Sequence, residues 1–280
     1  MNNSIVIREE ENLKQMLSFA SKAGFKEIML GFGSSKIFED DSYEKEIELI
    51  QKLLCKYDLQ CGQTHLPCYH LTISSEIIDE NMELQIKRAI RASAMLGAKW
   101  TTYHPRTDLT NGCNRTKSQE ANISILKDYL EIAEKSGIGI AVENMPLYPY
   151  DRPDWRFFGG GWEELCDICN VLNSDKIGIC WDFGHAHTAH LDQTAAIKAI
   201  GSLLKMTHVH DNYRKGDHHQ LPLLASTEWN SIHWDQAMTA LREINYQGSL
   251  ALELIYPPLP MCETFVKLAF ESLEYLKKLA

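Results

Sequence analysis

Short runs rich in apolar and β-branched residues alternate with amphipathic helical segments along the whole chain, and this alternation limits the possible folds. Eight segments have the pattern of strands: Ser4–Ile7, Lys26–Gly31, Leu59–His65, Lys99–His104, Ile138–Asn144, Lys176–Asp182, Leu204–His210 and Ser249–Ile255. The helical segments between and after them include Glu9–Lys22, Asn81–Leu96, Gln119–Ser136, Asp235–Glu243 and Met261–Leu279. Eight strands that alternate with helices predict an α/β fold, a single (β/α)8 TIM barrel, which typically has about 250 residues. The chain has 280 residues and no linker rich in Pro, Gly or Ser, so we predict one domain over residues 1–280.

Four residues able to bind a metal recur at a constant interval. His65, His104, Glu143 and Asp182 are each 39 residues apart, at or next to the last residue of a predicted strand. Stacked strand–helix units of similar size would produce such an interval. Because the C-terminal ends of parallel barrel strands gather around one opening, we expect these side chains to converge there.

Three of the predicted strands lead to a carboxylate. Small residues at alternate positions precede Glu143, Asp182 and Glu253, which is typical of a strand face that points into a barrel. Buried carboxylates that converge are costly unless a cation or shared protons neutralise them. We therefore predict a divalent metal site, completed by at least one of His208 and His210. Mixed carboxylate and imidazole ligation suits Mn²⁺, Zn²⁺, Co²⁺ or Mg²⁺.

Composition narrows the class of partner. There are 38 Asp+Glu against 28 Lys+Arg, a formal net charge of -10, which disfavours nucleic acid or an anionic membrane surface. No apolar stretch approaches the roughly 18 residues of a membrane span, and the N-terminal residues have no signal-peptide pattern. The 8 Cys in a chain of this length indicate a reducing compartment. We expect a cytoplasmic protein that acts on a small molecule, with a homo-oligomer among the open alternatives for its assembly.

The motifs at the strand ends resemble, in their order along the chain, the signatures of the xylose isomerase-like barrel superfamily. They are His65-Leu66-Pro67, Tyr103-His104-Pro105, Val142-Glu143-Asn144-Met145-Pro146, Trp181-Asp182-Phe183-Gly184-His185-Ala186-His187, His208-Val209-His210-Asp211-Asn212 and Leu252-Glu253. The series is most similar to the sugar phosphate isomerases and epimerases, a group that includes ketose 3-epimerases and inosose dehydratases. After His219 the chain continues with Gln220-Leu221-Pro222 where the family often has a Gly-rich turn, so no particular sugar is implied.

The resemblance implies a role for each matched residue. The metal would be held by Glu143, Asp182, His208 and Glu253, with His210 as the alternative to His208. Glu143 and Glu253 would remove and return a proton next to the carbonyl of a sugar, a sugar phosphate or a polyol derivative, through a metal-stabilised enediolate. The residues expected to bind substrate are His65, His104, His185, His210, Trp155, Arg156, Asp217 and His219.

A metal-dependent phosphodiesterase of the endonuclease IV type, acting on abasic DNA, is the main alternative. That family is similar in fold and holds three metals with His, Asp and Glu ligands. Nine residues here could supply those ligands: His65, His104, Glu143, Asp182, His185, His208, Asp217, His219 and Glu253. The missing Gly-rich turn and the lack of a basic cluster in the sequence argue against DNA as the substrate. A binding protein without enzymatic activity is a third alternative.

Overall fold

A closed barrel of parallel strands forms the centre of the molecule. The structure, a computed structural model, describes residues 1–9, 12–33, 36–68, 72–73, 80–109, 113–146, 156–214, 216–223 and 232–279. The eight barrel strands of this part are β1 (Asn2–Arg8), β2 (Glu27–Gly31), β3 (Gln60–His65), β4 (Trp100–Tyr103), β5 (Gly139–Glu143), β6 (Ile177–Asp182), β7 (Leu204–Val209) and β8 (Ser249–Leu252). Each strand pairs in parallel with the next one, and β8 pairs with β1. The predicted (β/α)8 barrel is confirmed.

Helices surround the barrel and connect its strands. They are α1 (Leu13–Ala23), α2 (Tyr43–Lys56), α3 (Glu80–Met95), α4 (Arg115–Ser136), α5 (Trp162–Leu172), α6 (Phe183–Thr188), α7 (Gln193–Ile200), α8 (Trp234–Glu243) and α9 (Leu259–Leu276). Buried apolar side chains from strands and helices form one continuous layer between them. Burial of this apolar surface is the main force that holds the helices on the barrel. None of the helices in the described ranges is long and apolar enough to cross a membrane.

Local hydrogen bonds explain two of the boundaries of helices and strands that differ from those predicted from the sequence. Helix α4 begins earlier than predicted because the Asn114 side chain accepts a hydrogen bond from Lys117 N at 3.1 Å and caps the first turn. Strand β8 ends at Leu252, three residues before the predicted end at Ile255. There the backbone N–H of Ile255 donates to the His219 carbonyl at 3.1 Å, so the chain leaves the sheet to pair with a loop.

A small apolar cluster fills the inside of the barrel. It consists of Val6, Met29, Ala141, Cys180, Met206 and Ala251, separate from the layer under the helices. Side chains alternate along a strand, so the next inward positions after Ala141, Cys180 and Ala251 belong to three carboxylates. These are Glu143 at the end of β5, Asp182 at the end of β6 and Glu253 just beyond β8. The small residues therefore lie inside the barrel, and the three carboxylates lie next to them at its C-terminal mouth.

A buried polar network fixes the segment that follows β4. Asn122 of α4 is fully buried, and its side-chain oxygen accepts hydrogen bonds from Tyr103 Oη at 2.9 Å and Arg106 N at 2.8 Å. Its amide nitrogen donates to the carbonyls of Arg106 and Ser118, both at 2.7 Å. One side chain therefore connects α4 to both sides of His104.

We expect the substitution Asn122→Ala to lower the free energy of unfolding by about 2–3 kcal/mol, because it leaves several buried polar groups without partners. Urea unfolding followed by circular dichroism would measure the change. Asn170→Ala, at an exposed position of α5, is the matched control and should change stability by less than about 0.5 kcal/mol. Equal stability of the two variants would show that the network does not hold this segment.

Candidate metal centre

Three carboxylates converge on one ring nitrogen at the barrel mouth. His208 Nδ1 lies 2.9 Å from Glu143 Oε1, 3.1 Å from Glu253 Oε2 and 3.6 Å from Asp182 Oδ2. One donor atom from each of these four residues lies within 4.8 Å of the other three. Glu143, Asp182 and His208 have no exposed surface, and the Glu253 side chain is 14% exposed.

The donor set fits a divalent cation. An imidazole nitrogen can donate a single proton, so His208 Nδ1 cannot satisfy three carboxylates at once. Burial makes uncompensated carboxylates expensive, whereas a divalent ion would be attracted by all of them. The second ring nitrogen, Nε2, lies 3.4 Å from Thr102 Oγ1, an interaction that helps to orient the ring.

Two further histidines lie on the other side of Glu143. His104 Nε2 is 2.8 Å and His65 Nε2 is 3.4 Å from Glu143 Oε2, and the two ring nitrogens are 3.0 Å apart. Glu143 Oε2 is buried but accepts no well-formed hydrogen bond from the described residues. Glu143 therefore directs one carboxylate oxygen to each of two neighbouring groups of donors.

A third group of donors lies beside Asp182. Asp217 Oδ2 is 3.2 Å from His185 Nε2 and 3.0 Å from His219 Nε2. His210 Nε2 is 3.0 Å from Asp182 Oδ1, and its ring stacks on that of His219 with the centroids 4.1 Å apart. The structure thus places His208 with the three carboxylates and His210 in this third group.

Three of the imidazole rings are oriented by the main chain. The contacts are His65 Nδ1 with Leu66 O at 2.7 Å, His185 Nδ1 with Asn144 O at 2.8 Å and His219 Nδ1 with Glu253 O at 3.0 Å. A carbonyl oxygen only accepts, so each Nδ1 carries the proton that it donates. In a neutral ring this leaves the Nε2 lone pair free, which is the arrangement of histidines that bind metals.

The charges of the centre stabilise one another against the cost of burial. Burial alone would raise the pKa of both carboxyls, but adjacent imidazoles hold the pKa of Glu143 well below its usual range and lower the pKa of Asp182 to about 2. Burial would lower the pKa of His104 and His219, yet neighbouring acidic groups raise both to about 9. The carboxylates are therefore ionised at neutral pH and available as ligands or bases.

The short helix α6 brings its own residues into the centre. Asp182 caps this helix, and its Oδ1 accepts a hydrogen bond from His185 N at 2.6 Å. A Cβ atom on Gly184 would lie 1.9 Å from His210 Cε1, so only glycine lets the helix pack against that ring. The Asn144 side chain holds β5 to β6 by accepting from Asp182 N at 2.7 Å and donating to Asp182 O at 2.9 Å.

The predicted substrate residues divide into two groups. Those that line a cavity of about 210 Å³ at the mouth are His65, His104, His185, Asp217 and His219, together with Glu143 and Glu253. His210 and Arg156 are not among the described residues that line it, and Arg156 Nη2 is paired with buried Glu164 Oε1 at 2.8 Å. Trp155 lies outside the described residues. A larger cavity of about 830 Å³ lies at the opposite, N-terminal end of the barrel and contains none of the predicted site residues.

Sequence reasoning missed several contributors to this centre. Cys68 lines the same cavity, and Asn144 and Thr102 orient site residues, although the sequence analysis gave none of these three a role. A signal was available for two of them. Asn144 directly follows Glu143, and Cys68 follows the His65-Leu66-Pro67 motif.

Comparisons with known proteins agree with this architecture. The family described as xylose isomerase-like TIM barrel matches residues 17–279. An uncharacterised protein, y4fM of Sinorhizobium fredii, is 31% identical over 272 residues, which cover 87% of this chain and 81% of that protein.

Two solved structures share the fold over nearly the whole chain. A D-tagatose 3-epimerase-like protein superposes with a TM-score of 0.75 at 21% identity and covers 100% of both chains. The IOLI protein, solved with a bound zinc atom, superposes with a TM-score of 0.74 at 18% identity and covers 99% of this chain and 96% of its own.

We expect the chelator-treated protein to lose stability as the pH rises from 6.5 to 9. The pKa of His104 and of His219 is about 9 in the folded protein, above the ordinary value of 6.5. The two imidazolium ions therefore stabilise the fold fully below pH 6.5, and this contribution is lost as the pH rises through 9. The free energy of unfolding should fall by on the order of 2 kcal/mol over this interval.

Urea unfolding at several pH values would measure this decline. His219→Gln should flatten it, whereas His190→Gln, at an exposed position, should keep the slope of the original protein. A free energy of unfolding that is constant or rises between pH 6.5 and 9 would contradict the assigned charges.

Proposed function

This chain belongs to the xylose isomerase-like TIM barrel family, and from that premise we propose that it is a metal-dependent isomerase or epimerase of a sugar, a sugar phosphate or a polyol derivative. The observation that carries the proposal is the position of Glu143 and Glu253, whose carboxylate oxygens both lie close to His208 Nδ1 beside a small cavity. The similarity to a D-tagatose 3-epimerase-like protein supports a carbohydrate substrate. A cytoplasmic location and a homo-oligomeric state stay predictions.

The ligands of the proposed metal are Glu143, Asp182, His208 and Glu253, and the zinc atom of the structurally similar IOLI protein supports a metal in this fold. A divalent cation bound there would supply positive charge for the oxygens of an enediolate. Its identity among Mn²⁺, Zn²⁺, Co²⁺ and Mg²⁺ is left to experiment, because all four accept carboxylate and imidazole ligands.

Glu143 and Glu253 are the proposed acid–base pair. The pKa of each is held well below its usual range by neighbouring imidazoles, despite burial, so both begin as carboxylates that can accept a proton. One removes a proton from the carbon next to the substrate carbonyl, and the other returns a proton to the same carbon or its neighbour. The role of each depends on which face of the substrate it meets.

The histidines around the cavity are suited to bind substrate hydroxyls. His65, His185 and His219 have their Nδ1 protons committed to main-chain carbonyls, so Nε2 is the atom that each presents to a ligand. His104, His210 and Asp217 complete the proposed substrate set. The part assigned to Trp155 and Arg156 stays a prediction from the sequence.

A phosphodiesterase of the endonuclease IV type remains the second candidate because one observation favours it. The nine residues named for its three metals form three adjacent groups in the structure, with Glu143 directed toward two of them. The formal net charge of -10 argues against a DNA substrate, since binding to DNA rests mainly on cationic contacts with phosphates.

We expect Glu253→Gln to slow exchange of a substrate C–H proton with solvent by about 10²–10⁴-fold, the usual contribution of a positioned acid or base. A panel of ketoses, aldoses and their phosphates in deuterated water, followed by NMR, would measure exchange. The variant should keep its fold and most of its metal. Glu271→Gln, at an exposed position of α9, is the matched control and should exchange at the original rate. Undiminished exchange in Glu253→Gln would overturn the proposed role of this residue.

Metal content and a DNA substrate separate the two candidate functions. We expect sugar exchange that needs a bound divalent ion, and no cleavage of a duplex with a single abasic site. Elemental analysis of the purified protein and gel analysis of the duplex would test both points. The proposed epimerase function would be wrong, and the phosphodiesterase function favoured, if the protein holds three ions per chain, cleaves the duplex and exchanges no sugar proton.

A further inference from the structure

Cys68 lies beside His65, the last residue of β3, and His104, which directly follows β4. Its Sγ is 3.7 Å from His65 Nδ1, and one donor atom each from His65, Cys68 and His104 lies within 4.8 Å of the other two. Cys68 also lines the cavity at the mouth and is exposed to solvent. A free thiol therefore lies in the group of donors that contains His65 and His104 and not Asp217.

Two buried polar atoms near this thiol have no hydrogen-bond partner among the described residues. These atoms are His104 Nδ1 and Glu143 Oε2, both buried, and neither forms a well-formed hydrogen bond within the part of the chain that the structure describes. His65 Nε2, His104 Nε2 and Glu143 Oε2 crowd together at 2.8–3.4 Å. Buried polar atoms without hydrogen-bond partners are rare unless something else binds them.

We propose that Cys68 supplies a thiolate ligand to a divalent ion bound with His65 and His104, at a site next to the carboxylate site. When the ion binds, Cys68 loses its S–H proton and His104 loses one imidazolium proton, both protons pass to solvent, and sulfur–metal and nitrogen–metal bonds form. A sulfur and two imidazole donors make this a site for Zn²⁺ or Co²⁺, and oxygen-seeking Mg²⁺ and Mn²⁺ would be excluded from it. The two neighbouring sites would then differ in the metals that they prefer.

The other cysteine of the centre is in a different position. Cys180 is fully buried inside the barrel and packs with Ala141 and Ala251, and burial raises its pKa. It nevertheless lies within 4.8 Å of donor atoms of Glu143 and His208, so any test must separate the two thiols.

The absorption spectrum of bound Co²⁺ tests the proposed sulfur–metal bond directly. Full-length protein stripped with chelator and titrated with Co²⁺ should develop the near-ultraviolet band of sulfur-to-cobalt charge transfer. Cys68→Ser should lose this band, and competition with a chromophoric chelator should show that its affinity for Zn²⁺ at this site falls by at least about tenfold. Cys55→Ser, at an exposed position of α2, should behave like the original protein.

The outcomes that would overturn the proposal are separate from those that bear on the proposed function. Cys68 is not a ligand if the original protein shows no band or if the band survives in Cys68→Ser. The same conclusion follows if the band is lost only in Cys180→Ala. Circular dichroism and thermal unfolding would show that each variant is folded. The measurement involves no sugar, so its failure leaves the exchange experiment with Glu253→Gln unaffected.

Discussion

The convergence of three carboxylates on His208 Nδ1 is the interaction on which the rest of the centre depends. Three negative charges within a few ångströms repel one another, and the barrel interior shields them poorly. The surrounding imidazoles compensate part of this charge, which is why the pKa values of the carboxyls and of His104 and His219 move in opposite directions. The centre therefore favours positive charge, which either protonated imidazoles or a bound metal ion would supply.

The barrel itself produces this convergence, and the sequence contained most of the information needed to see it. Parallel strands that end in polar residues bring those residues to one opening, whatever their separation in the chain. The alternation of eight strands with helices predicted the barrel, and the interval of 39 residues with the small residues before Glu143, Asp182 and Glu253 predicted which side chains meet at its mouth. These features depend on backbone geometry, which periodic patterns reveal well.

The sequence could not predict the directions of side chains in the loops that follow the strands. His208 and His210 have the same parity, and the sequence could not show that His208 lies among three carboxylates whereas His210 packs against Gly184. The sequence predicts that Arg156 binds substrate, and it could not show that its guanidinium pairs with buried Glu164. Cys68 follows a strand in an irregular segment, where periodicity carries no information about direction.

The hydrogen bonds from imidazole rings to backbone carbonyls have a consequence for how such a centre can change in evolution. His65, His185 and His219 are oriented by Leu66 O, Asn144 O and Glu253 O, and no side-chain replacement removes a main-chain oxygen. Residues next to them can therefore be exchanged for others with sulfur, oxygen or nitrogen donors while the rings keep their direction. If this centre binds metal as proposed, single substitutions at its rim would change the metal that it prefers.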